Sequence, residues 1–488
     1  MAATHADVSG AASEPRPLTM ATGTLPGGRA NPHDSISITR AWLYAAVYDS
    51  LTFVDREGKL IPWLAIEWRR ESDTVWVLAL RPGVTFSDGR PMTAADVVTN
   101  LAYLTSPAGK TEPAAPFVAS IVSAEAVDDL TVRLSTATPD PVLPQKLSLI
   151  RVAALPAGVA MTRDTLTREA LGTGPYRISS WAPGKAVLNA VPGAWRRAPT
   201  PVLQAVAMPD SPARRSALIT GAADIAFAAF FFEDLEDPTL PYNLEPDEIP
   251  AVVGLGFNTK ADTPLRDARV RRAILHAVDV KTIVDTLFAH RANLAAQPAR
   301  KEFLGYNPEL KPAPYDPGRA RVLLKEAGHE NGFSFSMALT GGATIWDQVF
   351  QLVANDLAKV KIKLSINLMP EAAFAEQLYA SGIKDDAYGS AYFAPTFDAL
   401  DALRLHTCAW PASSYCDPDA QTLHDRALAS ASLDERIALT RQAMARSHEM
   451  AQALFMYESL GLVGYSKRIS GFRSDFGFPR YELMTVKD

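Results

Sequence analysis

Leu80-Arg81-Pro82-Gly83-Val84-Thr85-Phe86-Ser87-Asp88-Gly89-Arg90-Pro91-Met92-Thr93-Ala94-Ala95-Asp96-Val97-Val98 is the stretch from which the rest of the chain can be read. Pro82-Gly83 and Asp88-Gly89 are turn pairs, because proline presets φ and glycine takes the left-handed conformation that closes a tight turn. Val84 to Phe86 forms a short strand between them. Thr93 can cap a helix that runs through Val97 and Val98 into Leu101, with Asp96 in the first turn, where the helix dipole favours negative charge.

Working outward, Thr74 to Leu80 is rich in β-formers and leads into the first turn. Before it, Trp42, Ala45, Ala46 and Leu51 recur at helical spacing after the polar Asp34 to Thr39 stretch, which can cap a helix. After it, Ile121 to Val132 alternates apolar and polar residues, and this α+β unit closes near the proline-rich Pro139 to Pro144 segment. At Gly172-Thr173-Gly174-Pro175-Tyr176, read as a rigid turn, the pattern resets. Tyr176 to Trp181 and Lys185 to Val191 are strands, Ser211 to Thr220 is a helix stopped by Gly221, and Ala223 to Phe227 is a buried strand. Strands at Val252 to Phe257, Phe333 to Leu339 and Lys363 to Leu368 alternate with helices at Asp267 to Ala289, Asp316 to Ala327, Asp347 to Val360 and Phe374 to Ser381. That alternation predicts α/β layers.

The chain has 488 residues, enough at about 150 per domain for roughly three domains, or two lobes with an elaboration. Hydrophobic residues at 48% and charged residues at 21% place it among globular proteins. Net charge is −6 and basic residues occur at most in pairs, which argues against nucleic acid or anionic lipid as partner. The most apolar run, Ala222 to Phe232, contains Asp224 and is far short of the roughly 18 residues a membrane span needs. Met1 to Pro32 shows no basic region followed by an apolar one, so the expectation is a cytoplasmic protein or one whose leader has been removed. The two cysteines, Cys408 and Cys416, lie eight positions apart, a spacing that suits neither a CxxC pair nor a zinc site. A local disulfide is the expectation, with two inert buried thiols as the alternative, and a bridge implies an oxidising compartment.

Signatures of catalysis are missing. His448-Glu449 has Gln452 where a zincin needs its second histidine, and Gly464-Tyr465-Ser466-Lys467-Arg468 lacks the second glycine of a nucleophile elbow. Gly172-Thr173-Gly174 lacks the third glycine of a dinucleotide fingerprint, and no phosphate-binding Gly-Lys-Ser/Thr occurs. The histidines never pair at metal-ligand spacing. What stands out instead is aromatic residues in loop-like or strand-end settings: Phe230, Phe231, Phe232, Trp346, Tyr392, Phe393, Phe397 and Trp410. Such side chains line pockets for organic ligands, and α/β folds place ligands at strand ends, although each could equally pack in a core.

Four blocks taken together resemble the periplasmic solute-binding proteins of peptide and nickel ABC importers, extracellular family 5. They are Tyr48-Asp49-Ser50-Leu51 with Leu60 to Ala65, Trp68 and the Leu80 to Val98 stretch; Gly172 to Tyr176 with Trp181, Pro183-Gly184 and Trp195; Gly256 to Lys260 with Asp267 to Ala273 and Ala277-Val278-Asp279; and Gly305 to Pro308 with Tyr315-Asp316-Pro317 and Leu323 to Gly328. The resemblance implies the two-lobed, venus-flytrap α/β fold of type II periplasmic binding proteins, with an extra α+β domain on the first lobe. By that resemblance the first lobe comprises residues 16–48, 172–258 and 457–488, the extra domain residues 49–171, and the second lobe residues 259–456.

The resemblance also implies a ligand held between the lobes. Dipeptide-binding members look to hold the ammonium with an Asp shortly before the cysteine pair, and here only Asp398, in Tyr392-Phe393-Ala394-Pro395-Thr396-Phe397-Asp398, is available. Their carboxylate-binding Arg lies after the strand ending at Leu339, where this chain has Thr340-Gly341-Gly342-Ala343-Thr344-Ile345-Trp346 and no Arg. Arg40 is the best remaining cation. The expected ligand-binding set is therefore Arg40, Trp42, Phe230, Phe231, Trp346, Tyr392, Phe393, Phe397 and Asp398, with no catalytic residue, cofactor or metal. The expected function is a monomeric periplasmic receptor that passes a short peptide or other small organic solute to a membrane permease. The alternatives are a periplasmic hydrolase or peptidase, and a sensor or chaperone, on the same scaffold.

Overall fold

The computed structural model describes residues 16–25, 31–36, 40–229, 231–341 and 345–487. In chain order, β1 (Leu18–Thr22) is followed by β2 (Ala65–Ser72), β3 (Val75–Leu80), β4 (Ile121–Asp128) and β5 (Thr131–Thr136). The last four make a separate antiparallel sheet of order β2-β3-β5-β4. β6 (Tyr176–Ala182), β7 (Lys185–Ala190), β8 (Val202–Ala207), β9 (Ile225–Ala229), β10 (Tyr242–Phe257), β11 (Phe333–Thr340), β12 (Ile362–Met369), β13 (Ala387–Phe393) and β14 (Ala453–Ser466) join β1 in a ten-stranded mixed sheet. Its order is β6-β7-β8-β1-β9-β14-β10-β13-β11-β12.

In the decisive stretch the turns and the helix cap fold as read, whereas the strand expected over Val84 to Phe86 is reduced to a single bridge between Thr85 and Pro91. Gly83 and Gly89 take φ of 75° and 90° at their turns. α1 (Ala41–Val47) precedes the small sheet, and α2 (Ala94–Thr105) begins at Thr93, whose N–H donates to the Asp96 carboxylate at 2.8 Å, the return half of a capping box. The small sheet and α2 share one apolar cluster with the first half of the large sheet: Leu51, Leu78 and Leu101 belong with Tyr176, Leu188 and Leu203. The extra domain is thus packed on the first lobe.

β10 and β14 run antiparallel through the middle of the large sheet and link its halves. Residues 242–248 of β10 have only β14 beside them, whereas Ala251 to Phe257 also pair with β13. The register shifts between Glu248 and Val252, around Pro250, which cannot donate to a ladder. Pro246 and Pro250 explain why the pattern suggested a strand from Val252 only. The actual strand is longer because the prolines fall beside the half with a single neighbour and at the bulge.

Two other expectations need correction. The helix expected over Asp267 to Ala289 is broken: α3 (Ala268–Ala277) ends at Val278 in extended conformation, and Asp279 caps α4 (Val280–Leu287), accepting from Thr282 N–H at 3.1 Å. Gly172-Thr173-Gly174 was read as a turn, yet neither glycine has a positive φ. A Cβ on Gly172 would lie 1.8 Å from the Val47 carbonyl oxygen, and one on Gly174 2.5 Å from that of Ala46. The glycines let this segment pass against the end of α1, and that contact fixes Tyr48 and Asp49.

Candidate ligand-binding site

Where the halves of the sheet meet, a cavity of about 60 Å³ is lined from both sides. Tyr44 and Tyr48 come from α1 and its end, Phe53 and Trp63 from the extra domain, and Pro250 from the crossing strand. Phe393 ends β13, Pro395 and Phe397 follow it, and Phe476 and Phe478 come from the C-terminal segment. Phe397 meets Phe476 edge-on at 4.6 Å, closing the cavity on one side. Both residues have positive φ, 57° and 48°, a conformation costing bulky residues about 1–3 kcal/mol and retained only where packing imposes it.

Four charged residues line the cavity: Asp49, Arg151, Arg196 and Asp475. Asp49, fully buried, accepts from Trp63 Nε1 at 2.8 Å, Arg196 Nε at 2.7 Å, Thr173 Oγ1 at 2.8 Å and Trp195 Nε1 at 2.9 Å, so both its oxygens are satisfied. Asp475 is held by Arg473 at 2.6 Å and Arg480 at 2.8 Å. Arg196 is neutralised by Asp49 and by Glu482 at 3.3 Å. Arg151 differs: only 3% exposed, it lies 3.9 Å over the Tyr44 ring and donates through Nη1 to the carbonyls of Pro32 and Ser35. Its burial pushes the guanidinium pKa down.

Of the residues expected in the cleft, Phe393 and Phe397 line this cavity. The others are elsewhere. Arg40 pairs with Asp34 at 3.1 Å, Trp42 is in the first core cluster and Phe231 packs against Tyr242. Trp346, on α5 (Ile345–Ala358), packs on the second cluster. Tyr392 is fully buried, its hydroxyl 3.3 Å from His406 Nε2. Asp398 caps the short helix Ala399–Ala402 and pairs with Arg436 through two contacts of 2.9 and 2.7 Å. Phe230 lies outside the described residues. Cys408 and Cys416 are bridged, with Cα atoms 4.6 Å apart.

Arg151, Tyr44, Trp63, Phe476 and Phe478 were passed over in the sequence. A signal existed for Arg151, a lone charge in the apolar run Leu147-Ser148-Leu149-Ile150-Arg151-Val152, since a buried charge needs a reason. Among the described residues no group of three or more His, Cys, Asp or Glu could hold a metal, and no helix is long and apolar enough to cross a membrane.

Two lobes are thus joined by paired crossing strands, with a cavity at the crossing, the architecture shared with the type II periplasmic binding proteins. The sequence profile of the bacterial extracellular solute-binding proteins, family 5 (middle), matches residues 59–409, and the chain belongs to that family, whose members are the solute-binding components of ABC transporters. It is 28% identical over 465 residues to the glutathione-binding protein GsiB of Pectobacterium atrosepticum, covering 90% of this chain and 88% of that one. Among solved structures it is similar to NikA from Brucella suis in complex with Fe(III)-EDTA, with a TM-score of 0.85 at 23% identity over 97% of this chain and 100% of that one. It is also similar to the ABC transporter-associated periplasmic binding protein DppA from Helicobacter pylori in complex with the peptide STSA, with a TM-score of 0.77 at 21% identity over 96% and 98% of the two chains.

Proposed function

We propose that this chain is a periplasmic receptor that encloses a short peptide or other small organic solute in the junction cavity and acts by binding and release, without a covalent step. The observation that carries this reading is the cavity itself, built from residues on both sides of the crossing strands, so that an occupant contacts both lobes and favours their closed arrangement. The lobes are residues 16–48, 172–258 and 457–488 on one side and 259–456 on the other, with residues 49–171 as the extra domain. The change of β10's neighbours near its register shift between Glu248 and Val252 supports a crossing between lobes along this strand. The similarity to a glutathione-binding and a peptide-binding protein supports solutes of peptide size.

Native mass spectrometry of the purified protein tests this reading. The expected result is a non-covalent adduct of small-molecule mass that is lost on denaturation, and small-angle scattering that shows compaction when the stripped protein is given that molecule back. A bound molecule that leaves the radius of gyration unchanged, or that is turned over on incubation, contradicts it.

A further inference from the structure

We propose that the hairpin of the extra domain, Thr52–Val54 paired with Leu60–Pro62, is a latch whose tip seats against the second lobe, holds the lobes together without solute, and so sets how long an enclosed solute is retained; this rests on the receptor reading above. The tip is shaped by its own residues. Asp55 Oδ1 accepts from the N–H groups of Glu57 and Lys59 at 3.1 and 2.9 Å, and Gly58, with φ of 76°, donates to the Asp55 carbonyl at 2.9 Å. Arg56 braces the tip from the side of the first lobe, where Nη2 donates to Glu245 on β10 at 2.9 Å and to the Ser474 carbonyl at 3.0 Å. Because the extra domain shares its apolar cluster with the first half of the large sheet, the hairpin travels with that lobe.

What the tip touches belongs to the other lobe. A Cβ on Gly58 would lie 2.5 Å from the Glu302 carbonyl oxygen and 2.6 Å from the Glu302 Cβ, so backbone meets backbone with no room for a side chain. Beside it, Val54 and Leu60 leave the extra domain's own core and pack with Ala299, Phe303, Ala394 and Phe397. Arg300, only 2% exposed, fixes the landing: Nη1 donates to the carbonyls of Ile249 and Ser459 on the two crossing strands, at 3.4 and 3.2 Å, and Nε donates to Glu302 at 3.3 Å. A second contact avoids the crossing. Arg70 on β2, paired with Asp73 at 3.0 Å, donates to the Ala431 carbonyl, in the turn between the second-lobe helices Pro418–Ala429 and Leu433–Glu449.

These contacts join groups that separate when the lobes part, and they cover apolar area that opening returns to water. Alternation along Thr52–Val54 couples them to the cavity: Phe53 lines it, stacked on Trp63 at 4.7 Å, while Val54 faces the second lobe. A solute against Phe53 therefore rests on the strand that holds the lobes together. A contact that favours the closed arrangement adds to the solute's own preference for it and slows the opening that releases it.

The test reads lobe separation directly and needs no solute. Spin labels are placed at Val122→Cys in the extra domain and Leu368→Cys on β12, both well exposed, in the full chain stripped of bound solute; the native cysteines are bridged and take no label. Pulsed dipolar spectroscopy is expected to resolve a shorter and a longer separation. In Gly58→Asn the new residue tolerates the left-handed backbone but its Cβ meets Glu302, and the share of the shorter separation should fall about fivefold or more. Gly83→Asn is the control: Gly83 has φ of 75° and a Cβ there meets nothing within 4 Å, so its separations should match those of the unaltered chain. Arg70→Ala should shift the populations in the same direction by a smaller factor, and it carries the test if Gly58→Asn does not fold. Unchanged separations in Gly58→Asn and Arg70→Ala, a shift toward the shorter separation, or an equal shift in Gly83→Asn overturns the latch. The receptor reading survives each of these results, because it fails instead on whether the co-purified molecule compacts the chain.

Discussion

The two walls of the junction cavity are held by different forces. On the side of α1 and the extra domain, Asp49 gathers Trp63, Trp195, Thr173 and Arg196 into one buried polar knot, which fixes the positions of rings and cation before any ligand arrives. On the side of β13, Phe393, Pro395 and Phe397 present apolar surface, and Phe397 is kept in its left-handed conformation by contact with Phe303 and Phe476. The first wall is preorganised by hydrogen bonds and charge, and the second gains its energy from area covered on closure. For a ligand that enters this cavity, the expected arrangement is its polar end at the first wall and its apolar end at the second.

Removing Asp49 is the sharpest way to break this contrast. Asp49→Ala leaves Arg196 buried beside only Glu482 and strips two indole N–H groups of their acceptor, so unfolding free energy should fall by about 3–5 kcal/mol. Asp49→Asn keeps an acceptor and should lose less. Urea unfolding without ligand checks both, and a midpoint for Asp49→Ala equal to that of the unaltered protein would show that the knot does not hold the wall.

Both sides of the molecule contain a buried neutral histidine, which predicts a shared response to acid. His33, bonded to Asn100 at 3.1 Å, and His406, bonded to Tyr388 at 3.0 Å, are each pushed down to about 4, chiefly by burial. Their folded pKa lies below the unfolded value near 6.5, so the unfolded chain takes up the proton first. Stability is then unaffected by these groups above about pH 6.5 and is lost as pH falls from there toward 4, by at most about 3 kcal/mol for each. In His406→Gln the unfolding free energy should fall less steeply with acid over that window, by up to about 1.4 kcal/mol per pH unit. An unchanged slope would mean that His406 is not held neutral by burial.

The disulfide belongs to the apolar side. Replacing Cys408 and Cys416 by serine opens a loop of about nine residues and should cost roughly 2 to 3 kcal/mol on the chain-entropy account. The loss should appear in thermal unfolding while the Asp49 knot stays intact, as reported by unchanged fluorescence of Trp63 and Trp195.

Much of this fold is written in local signals. Turn pairs at Gly83 and Gly89, the Thr93-Asp96 cap and the Gly221 stop are each decided by residues close in sequence, so they could be read directly. The cavity is different, because its members come from segments as far apart as Tyr44 and Phe478, and nothing within any one segment tells a wall residue from a core residue. Tyr392 and Phe393 are neighbours on one strand, yet alternation sends the first into the core against His406 and the second into the cavity. Arg40 looked free because nothing in the pattern pairs it with Asp34, six residues earlier, which lies 3.1 Å from it. Asp398 looked available because Arg436 lies far along the chain on a helix that docks beside it.

That alternation yields the finest test of the contrast. Phe393→Ala removes a ring that is partly exposed to the cavity, while its backbone pairing with Ala251 in the ladder is retained. With the co-purified solute, calorimetry should show binding weakened by roughly 1 to 3 kcal/mol, the usual effect of truncating an aromatic anchor. Without solute, the melting temperature should move less than in Phe397→Ala, whose ring packs on both Phe303 and Phe476 and so carries folding energy as well. If the two walls are as different as their contacts indicate, Phe393→Ala changes affinity and spares the fold, whereas Asp49→Ala does the reverse in magnitude. Equal losses of stability in these two variants would mean that the second wall is core rather than binding surface, and the apolar end of the ligand would then have to be sought elsewhere along the crossing.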